Sequence, residues 1–287
     1  MSESLVAGRG ARVRQGLGLE NTVPPPETLR VAVWQCHPQP RDPAANLARL
    51  RAAATSAAEQ GARVVVAPEA VLTGYDVGVL EPEDVDGAVD AVAEVARSTG
   101  VAIVAGVLRV DPGGTWRNSG VVASADGVVV HDKAHLFGGL DTTRVEAGDH
   151  PFALGSVDGV PVATMVCYDV EFPEAVRAAV LAGARAVLVP TANMEPYVAV
   201  NDVVVRSRAI ENATPVVYAN HCGSEGETRY VGASVVVGPD GAVLARGGPD
   251  GEELLVVDLP LRAAHPPDGA TYLADRRPEI YDAGGER

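Results

Sequence analysis

Three residues far apart in the chain stand where strand-like segments end: Glu69, Lys133 and Cys167. Cys167 lies inside PVATMVCYDVEFPE, Pro161 to Glu174, where an apolar strand pattern turns into a helix pattern. Backbone N–H groups are unpaired at a helix start, and their partial positive charge favours a thiolate. The turn resembles the strand–turn–helix elbow of hydrolase nucleophiles but lacks its glycine-flanked serine signature. Glu69 directly follows the short apolar strand Val64 to Ala67, at the end where α/β proteins carry catalytic groups, and burial there would fit it for general-base work. Lys133 follows another strand and is the single lysine among 23 Lys+Arg. Lysine offers a compact ammonium whose pKa responds to burial, which arginine does not. Each residue also has a plain reading: a small core cysteine, a capping glutamate, a surviving surface cation. Together they form a set. A free thiol is only a few per cent ionised at pH 7, a carboxylate can take its proton, and an ammonium or backbone N–H groups can hold an oxyanion. That set suits acyl transfer from an amide through a thioester. The competing pair is Cys–His, with His135 two residues beyond Lys133 as the base and His221 beside Cys222 the next candidate.

Composition narrows the class. A length of 287 residues, 47% hydrophobic content and 31 glycines suit an α/β protein with an ample core. A net charge of −15 argues against nucleic acid or an anionic membrane as partner. No apolar run reaches membrane-span length and no signal peptide is read, so a cytoplasmic location is expected. Cys36, Cys167 and Cys222 are an odd set without a CxxC pair, as expected of free thiols in a reducing compartment. HExxH, GxGxxG and GxxxxGK are absent, so no metal and no cofactor are expected.

The elements that must position these residues follow from periodicity. Leu29 to Gln35 alternates as a strand, and Asp42-Pro43 opens a helix that Gly61 closes. Val64 to Ala67 is a doubly buried strand, Val85 to Ser98 a helix ended by Gly100, and Val101 to Arg109 a strand. Trp116 to Ser124 and Val128 to Asp132 form a hairpin that delivers Lys133. After Cys167 come a helix from Pro173 to Leu181, a strand over Ala186 to Pro190, a helix from Val198 to Asn212 and a strand over Pro215 to Asn220. Gly232 to Val237, Val243 to Arg246 and Glu252 to Asp258 complete the strands. Parallel units with antiparallel additions are best satisfied by two sheets packed face to face with helices outside. Residues 1–28 read as a flexible arm, 29–287 as one domain with a turn-rich C-terminal extension from Pro260 that wraps a neighbour.

The segments VVVAPEAVLTGYD, HDKAHLFGGLD and MVCYDVEFPEAVRAAVLAGARAVLVPTANM resemble the nitrilase, or carbon–nitrogen hydrolase, superfamily over roughly Leu29 to Asp258. The resemblance implies a four-layer αββα sandwich, completed as two protomers associate, and hence a homodimer or larger. It implies Glu69 as general base and acid, Lys133 as stabiliser of the intermediate, Cys167 as nucleophile, and an oxyanion contact from the Tyr168 backbone N–H. By spacing, Asp141 takes the place of a second catalytic acid. Aspartate departs from the usual glutamate and is one methylene shorter, which leaves Glu146 as the alternative. Tyr75, Asn193 and Met194 occupy pocket-lining loop positions. Cys167-Tyr168-Asp169 differs from the Cys-Trp-Glu of nitrilases proper, and with RSRAIEN it is similar to the amidase branch, such as 5-aminopentanamidases and R-stereoselective amidases. The expected activity is a cofactor-free amidase on a small aliphatic or amino-substituted amide. An N-carbamoyl-amine hydrolase or a nitrilase is the alternative on the same scaffold, and a catalytically silent acidic binding or scaffold protein the alternative of another class. Asp169, Glu171 and Glu195 are weighed as receivers of a substrate amino group against solvated or capping roles.

Overall fold

The computed structural model describes residues 26–262 and 271–281. The expected arm over 1–28 lies outside the described residues except for its last three positions, as does part of the expected C-terminal extension. In chain order the first half holds β1 (Thr28–Gln35), α1 (Pro43–Glu59), β2 (Val64–Val66), α2 (Ala88–Thr99), β3 (Ala102–Val110), β4 (Trp116–Ser124), β5 (Gly127–Asp132) and α3 (Gly138–Thr142). The second half holds β6 (Ala153–Val157), β7 (Val160–Thr164), α4 (Pro173–Leu181), β8 (Ala186–Pro190), α5 (Val205–Asn212), β9 (Val216–Ala219), β10 (Ser224–Glu225), β11 (Thr228–Arg229), β12 (Val235–Val237), β13 (Val243–Arg246), β14 (Glu253–Pro260) and α6 (Pro278–Tyr281).

Two six-stranded mixed sheets result, ordered β14-β1-β2-β3-β4-β5 and β13-β12-β9-β8-β7-β6. β1, β2 and β3 run parallel, as do β7, β8 and β9, and antiparallel strands flank each trio. The two-residue period of β1 explains the layering. Val31 and Val33 point inward and meet Val162, Leu188, Val217 and Val236 across the seam between the sheets. Ala32 and Trp34 point outward, into a core with Leu50 and Ala54 of α1 and Val92 and Val95 of α2. On the far side Ala163, Val187 and Tyr218 pack under Val176 of α4 and Val205 of α5. Each valine taken fully from water contributes about 1.5–3 kcal/mol, so β-branched residues facing both ways hold the four layers together. All four layers lie within one chain. Association of two protomers is not needed to complete them, which corrects that part of the expectation.

The elements otherwise depart at their ends. α2 begins at Ala88 rather than Val85, because Gly87 takes a left-handed conformation (φ +65°) behind a short 3-10 turn at Pro82–Asp84. A π-turn over Val200–Val204 precedes α5 where one continuous helix is expected. β6 was not foreseen. Its hairpin to β7 turns on Asp158-Gly159, both at positive φ, and an Asp-Gly pair between apolar runs is a strong hairpin signal. Between β7 and α4 lies a 3-10 turn, Cys167–Glu171, so Cys167 opens that turn and not α4.

One close approach fixes the first sheet against the site. Past β2 the chain continues alongside β3, with Gly106 N–H donating to the Pro68 carbonyl (3.0 Å) and Val71 N–H to the Gly106 carbonyl (2.9 Å). A Cβ on Gly106 would fall on the Glu69 Cα. Gly106→Ala is therefore expected to cost about 1–3 kcal/mol through overpacking and to displace Glu69. Thermal denaturation alongside a turnover assay checks it, and turnover should fall further than the lost stability accounts for.

Candidate active site

Glu69 is held by its backbone before its side chain does anything. Its N–H donates to the Thr191 carbonyl (3.3 Å), its carbonyl is 2.5 Å from His221 Nε2, and Ala70 turns the chain at φ +47°. Lys133 leaves the end of β5 with its N–H on the Asn118 carbonyl (2.8 Å) and its carbonyl taken by Gly148 (2.9 Å). Glu69 and Lys133 thus come from the first sheet, and Cys167 follows β7 of the second.

The side chains form a closed ionic network. Lys133 Nζ donates to Glu69 Oε1 at 2.8 Å and to Asp141 Oδ2 at 2.6 Å. Asn118 Nδ2 donates to Glu69 Oε1 at 2.6 Å and lies 3.4 Å from Asp141 Oδ1, which also accepts from the Tyr75 hydroxyl at 3.0 Å. Phe137 N–H closes on Asp141 Oδ2 at 2.9 Å. All of these side chains are buried, with Glu69 fully inaccessible and Lys133 and Asp141 at 1% exposure. Burial would lower the Lys133 pKa, but Glu69, Tyr75, Cys167 and Asp141 together raise it well above its ordinary value, so it is an ammonium. Two carboxylates against one ammonium leave the cluster one negative charge. Glu69 Oε2 is buried and has no hydrogen-bond partner among the described residues. That oxygen is a proton acceptor held open.

Cys167 sits beside this oxygen's carboxylate electrostatically. Burial, then the Glu69 charge, push its thiol up, and Lys133 with hydrogen bonds at Thr191 and Ala192 offsets this only in part. The thiol is therefore protonated at rest and needs a base to take its proton as it attacks. The Cys167 backbone is left-handed at φ +47°, costly for a residue with a Cβ. Asp169 keeps it there. Its carboxylate accepts from Val166 N (3.1 Å), Ala134 N (3.2 Å) and His135 N (2.9 Å), and meets His135 Nδ1 (2.8 Å) and His131 Nε2 (2.9 Å). The elbow is thus tied to the strand end that carries Lys133.

The other expected residues fall as follows. Asp141 reaches Lys133 despite its shorter side chain because α3 presses its backbone inward, whereas Glu146 is exposed. Tyr75 spends its hydroxyl on Asp141. The Tyr168 ring is half-buried in an aromatic cluster, and its N–H makes no backbone hydrogen bond among the described residues. Asn193 uses its amide on the Tyr197 carbonyl (3.0 Å) and Asn201 (2.7 Å), so it shapes its loop, and Met194 packs with Tyr75 and Tyr230. His135 bonds Asp169 and stacks on Phe172 (3.8 Å), and His221 faces the Glu69 carbonyl; the Cys–His pairing is not formed. Asp169 is consumed by its five donors, and exposed Glu195 is paired with Arg229 at 3.1 Å. Cys36 and Cys222 are buried, and burial raises both thiols, Cys222 to about 11. Among the described residues no cluster of three His, Cys, Asp or Glu is arranged to hold a metal. No described helix is long and apolar enough to cross a membrane.

Sequence reasoning missed Asn118, which binds both carboxylates. The signal was available. Ser119 pairs with Asp132 across the β4–β5 hairpin, so Asn118 stands opposite Lys133. A surface cavity of about 510 Å³ between Pro82–Asp90 and Arg109–Pro112 contains none of the network residues. The chemistry of the buried cluster, not cavity size, marks the site.

A family model described as carbon-nitrogen hydrolase matches residues 30–266. The chain is 41% identical to the hydrolase in the pqqF 5' region of Pseudomonas protegens, across 89% of this chain and 92% of that protein. It is 33% identical to an (R)-stereoselective amidase of a Pseudomonas species, across 87% of this chain and 92% of that one. Among solved structures, a variant of an amidase from Nesterenkonia in complex with acrylamide superposes with a TM-score of 0.80 at 36% identity, covering 91% of this chain and 98% of that one. Another structure of that amidase, with the same TM-score and identity, carries the acetamide moiety of fluoroacetamide covalently added at its active-site cysteine.

The Asp169 clamp has a pH signature. Burial alone would raise its carboxyl, but His131, the Val166 N–H and His135 outweigh that and hold it below its ordinary 3.8. A depressed folded value stabilises the fold above the ordinary carboxylate range, and that contribution is lost as pH falls through the lower folded value. Asp169→Asn is expected to cost about 3–5 kcal/mol at neutral pH, as for one partner removed from a buried pair. It should also flatten the acid limb of stability below about pH 4. Urea unfolding at several pH values checks both.

Proposed function

The chain belongs to the carbon–nitrogen hydrolase family and is an amidase of the nitrilase superfamily; from that premise we propose that it hydrolyses a small aliphatic or amino-substituted amide to carboxylate and ammonia through a thioester on Cys167. The observation that carries the reading is the unpartnered Glu69 Oε2 beside a thiol kept protonated. A thiol that does not ionise by itself needs a base at the moment of attack, and this oxygen is free to be one.

The steps follow from the donors and acceptors present. Glu69 takes the thiol proton as Sγ bonds to the amide carbon. The carbonyl oxygen becomes an oxyanion, held by the Tyr168 N–H and by the third N–H of Lys133, whose other two serve Glu69 and Asp141. Collapse breaks the C–N bond, and Glu69 returns its proton to the departing ammonia. A water, deprotonated by Glu69, then attacks the thioester carbon and restores the thiol. While Glu69 is protonated it no longer balances Lys133, and Asp141 keeps the ammonium in place. The covalent addition of the acetamide moiety of fluoroacetamide at the active-site cysteine of the Nesterenkonia amidase marks that cysteine as nucleophilic and supports the same role for Cys167.

The reading extends to a cytoplasmic protein that forms a homodimer or larger assembly. Val198 and Val203 before α5 and Ile210 within it are apolar side chains left at 39%, 59% and 39% exposure, which supports self-association.

Cys167→Ala should abolish ammonia release, and Glu69→Gln should lower kcat by at least about 10³ while the fold stays intact by circular dichroism. Brief iodoacetamide treatment followed by mass spectrometry should label Cys167 far faster than Cys36 or Cys222, and Glu69→Gln should remove that difference. Ammonia released from a nitrile but from no amide would replace the reading with nitrilase work, carbon dioxide release with carbamoyl cleavage. Equal slow labelling of all three thiols would point to a silent scaffold.

A further inference from the structure

Outside the ionic network another carboxylate is buried, that of Glu225 on β10, at 2% exposure. It makes no ion pair among the described residues, and it bonds none of Glu69, Lys133, Asp141 and Cys167. A carboxylate taken out of water without a cation is costly unless hydrogen-bond donors surround it. The donors gathered here show what the position does. Oε2 accepts from the Tyr75 N–H at 2.9 Å, from the Asp76 N–H at 2.7 Å and from the Tyr230 hydroxyl. A Cβ on Gly74 would lie 2.6 Å from Oε1, so a glycine at that point, at φ +84°, is what lets the carboxylate seat against the loop.

Both tyrosines lead back to the network. The Tyr75 hydroxyl donates to Asp141 Oδ1 at 3.0 Å, and its ring centre lies 5.8 Å from Lys133 Nζ. Arg144 fixes the rest of Tyr75, donating to its carbonyl at 2.6 Å with the guanidinium 5.2 Å from the ring centre. The Tyr230 ring lies against that of His221, centroids 4.7 Å apart, and His221 Nε2 donates to the Glu69 carbonyl. We propose that Glu225 is a positioning residue for the reaction. It sets where the Tyr75 hydroxyl meets Asp141, and thereby where Lys133 Nζ stands, and it braces the His221 contact that holds the Glu69 backbone.

The surroundings of Glu225 are built to hold it still. Thr228, on the facing strand of the β10–β11 hairpin, donates its hydroxyl to Asp76 Oδ2 at 2.6 Å, so the hairpin grips the Tyr75 loop at two points. The hairpin is itself anchored, with Tyr230 bridged to Met194 and the Glu195 N–H donating to the Arg229 carbonyl at 2.9 Å. From Glu225 a displacement of Tyr75 passes to Lys133 through two hydrogen bonds, those of Asp141. A misplacement of about 1 Å transmitted to reacting groups can cost roughly 10²-fold in rate.

The kinetic arm of the test rests on the amidase reading, and the spectroscopic arm does not. Lys133 is the single lysine, so protein labelled with side-chain nitrogen-15 lysine gives one Nζ resonance. Glu225→Asp keeps the charge and shortens the reach by one methylene, whereas Glu225→Gln keeps the reach and removes the charge. Glu225→Asp and Tyr75→Phe should each shift the Nζ resonance in the same direction and lower kcat by roughly 10²-fold, with KM changed far less. The double variant should be no slower than the slower single one, because both substitutions act through one hydrogen bond. Glu225→Gln should shift the resonance less and recover most of kcat. An Nζ resonance unmoved by Glu225→Asp, additive losses in the double variant, or a larger loss with Gln than with Asp overturns the positioning role. Failure of the wild-type protein to release ammonia from any amide overturns the amidase reading alone, and the Nζ resonance then decides the role of Glu225.

Discussion

The buried contact between Lys133 and its two carboxylates is the constraint on which the rest of the structure depends. Removing an ammonium and two carboxylates from water costs several kcal/mol per ion, and only near-complete hydrogen bonding repays it. Here Asn118, Tyr75 and the Phe137 N–H supply that bonding, and one carboxylate oxygen is left over. The cluster holds one negative charge before and after a proton moves from sulfur to Glu69. The reaction proposed above relocates that charge and creates no new one in a medium that would resist it.

Geometry at that scale is set by the packing of the sheets. Glu69 and Lys133 stand at strand ends of one sheet and Cys167 just beyond a strand of the other. The valines between the sheets therefore set the distance from Glu69 to Cys167. Gly106 lets the Glu69 backbone lie against β3, and Asp169 ties the elbow of the second sheet to the Lys133 strand end of the first. A core substitution in the seam acts on chemistry through these two connections.

Much of this was legible in the chain. The strand ends bearing Glu69 and Lys133, the β4–β5 hairpin and the αββα layering follow from period-two valine runs, turn residues and the count of surfaces to be covered. What was not legible depends on three-dimensional accounting. Whether Asp141 could reach depends on how closely α3 packs. The roles of Asn193 and Tyr75 depend on which partner saturates them first. How far the Cys167 thiol is raised was not legible, because burial, its largest cause, and the Glu69 charge from almost a hundred residues away both depend on the folded chain. His135 was a plausible base until its ring proved to be committed to Asp169.

The solitary lysine has a practical consequence at the surface. Its ammonium is enclosed, and the remaining side-chain cations are guanidinium groups. Reagents that seek lysine amines, including activated esters, aldehyde cross-linkers and lysine-directed proteases, find no such target on the folded molecule. Immobilisation or labelling through lysine would report the opening of the buried cluster around Lys133 itself.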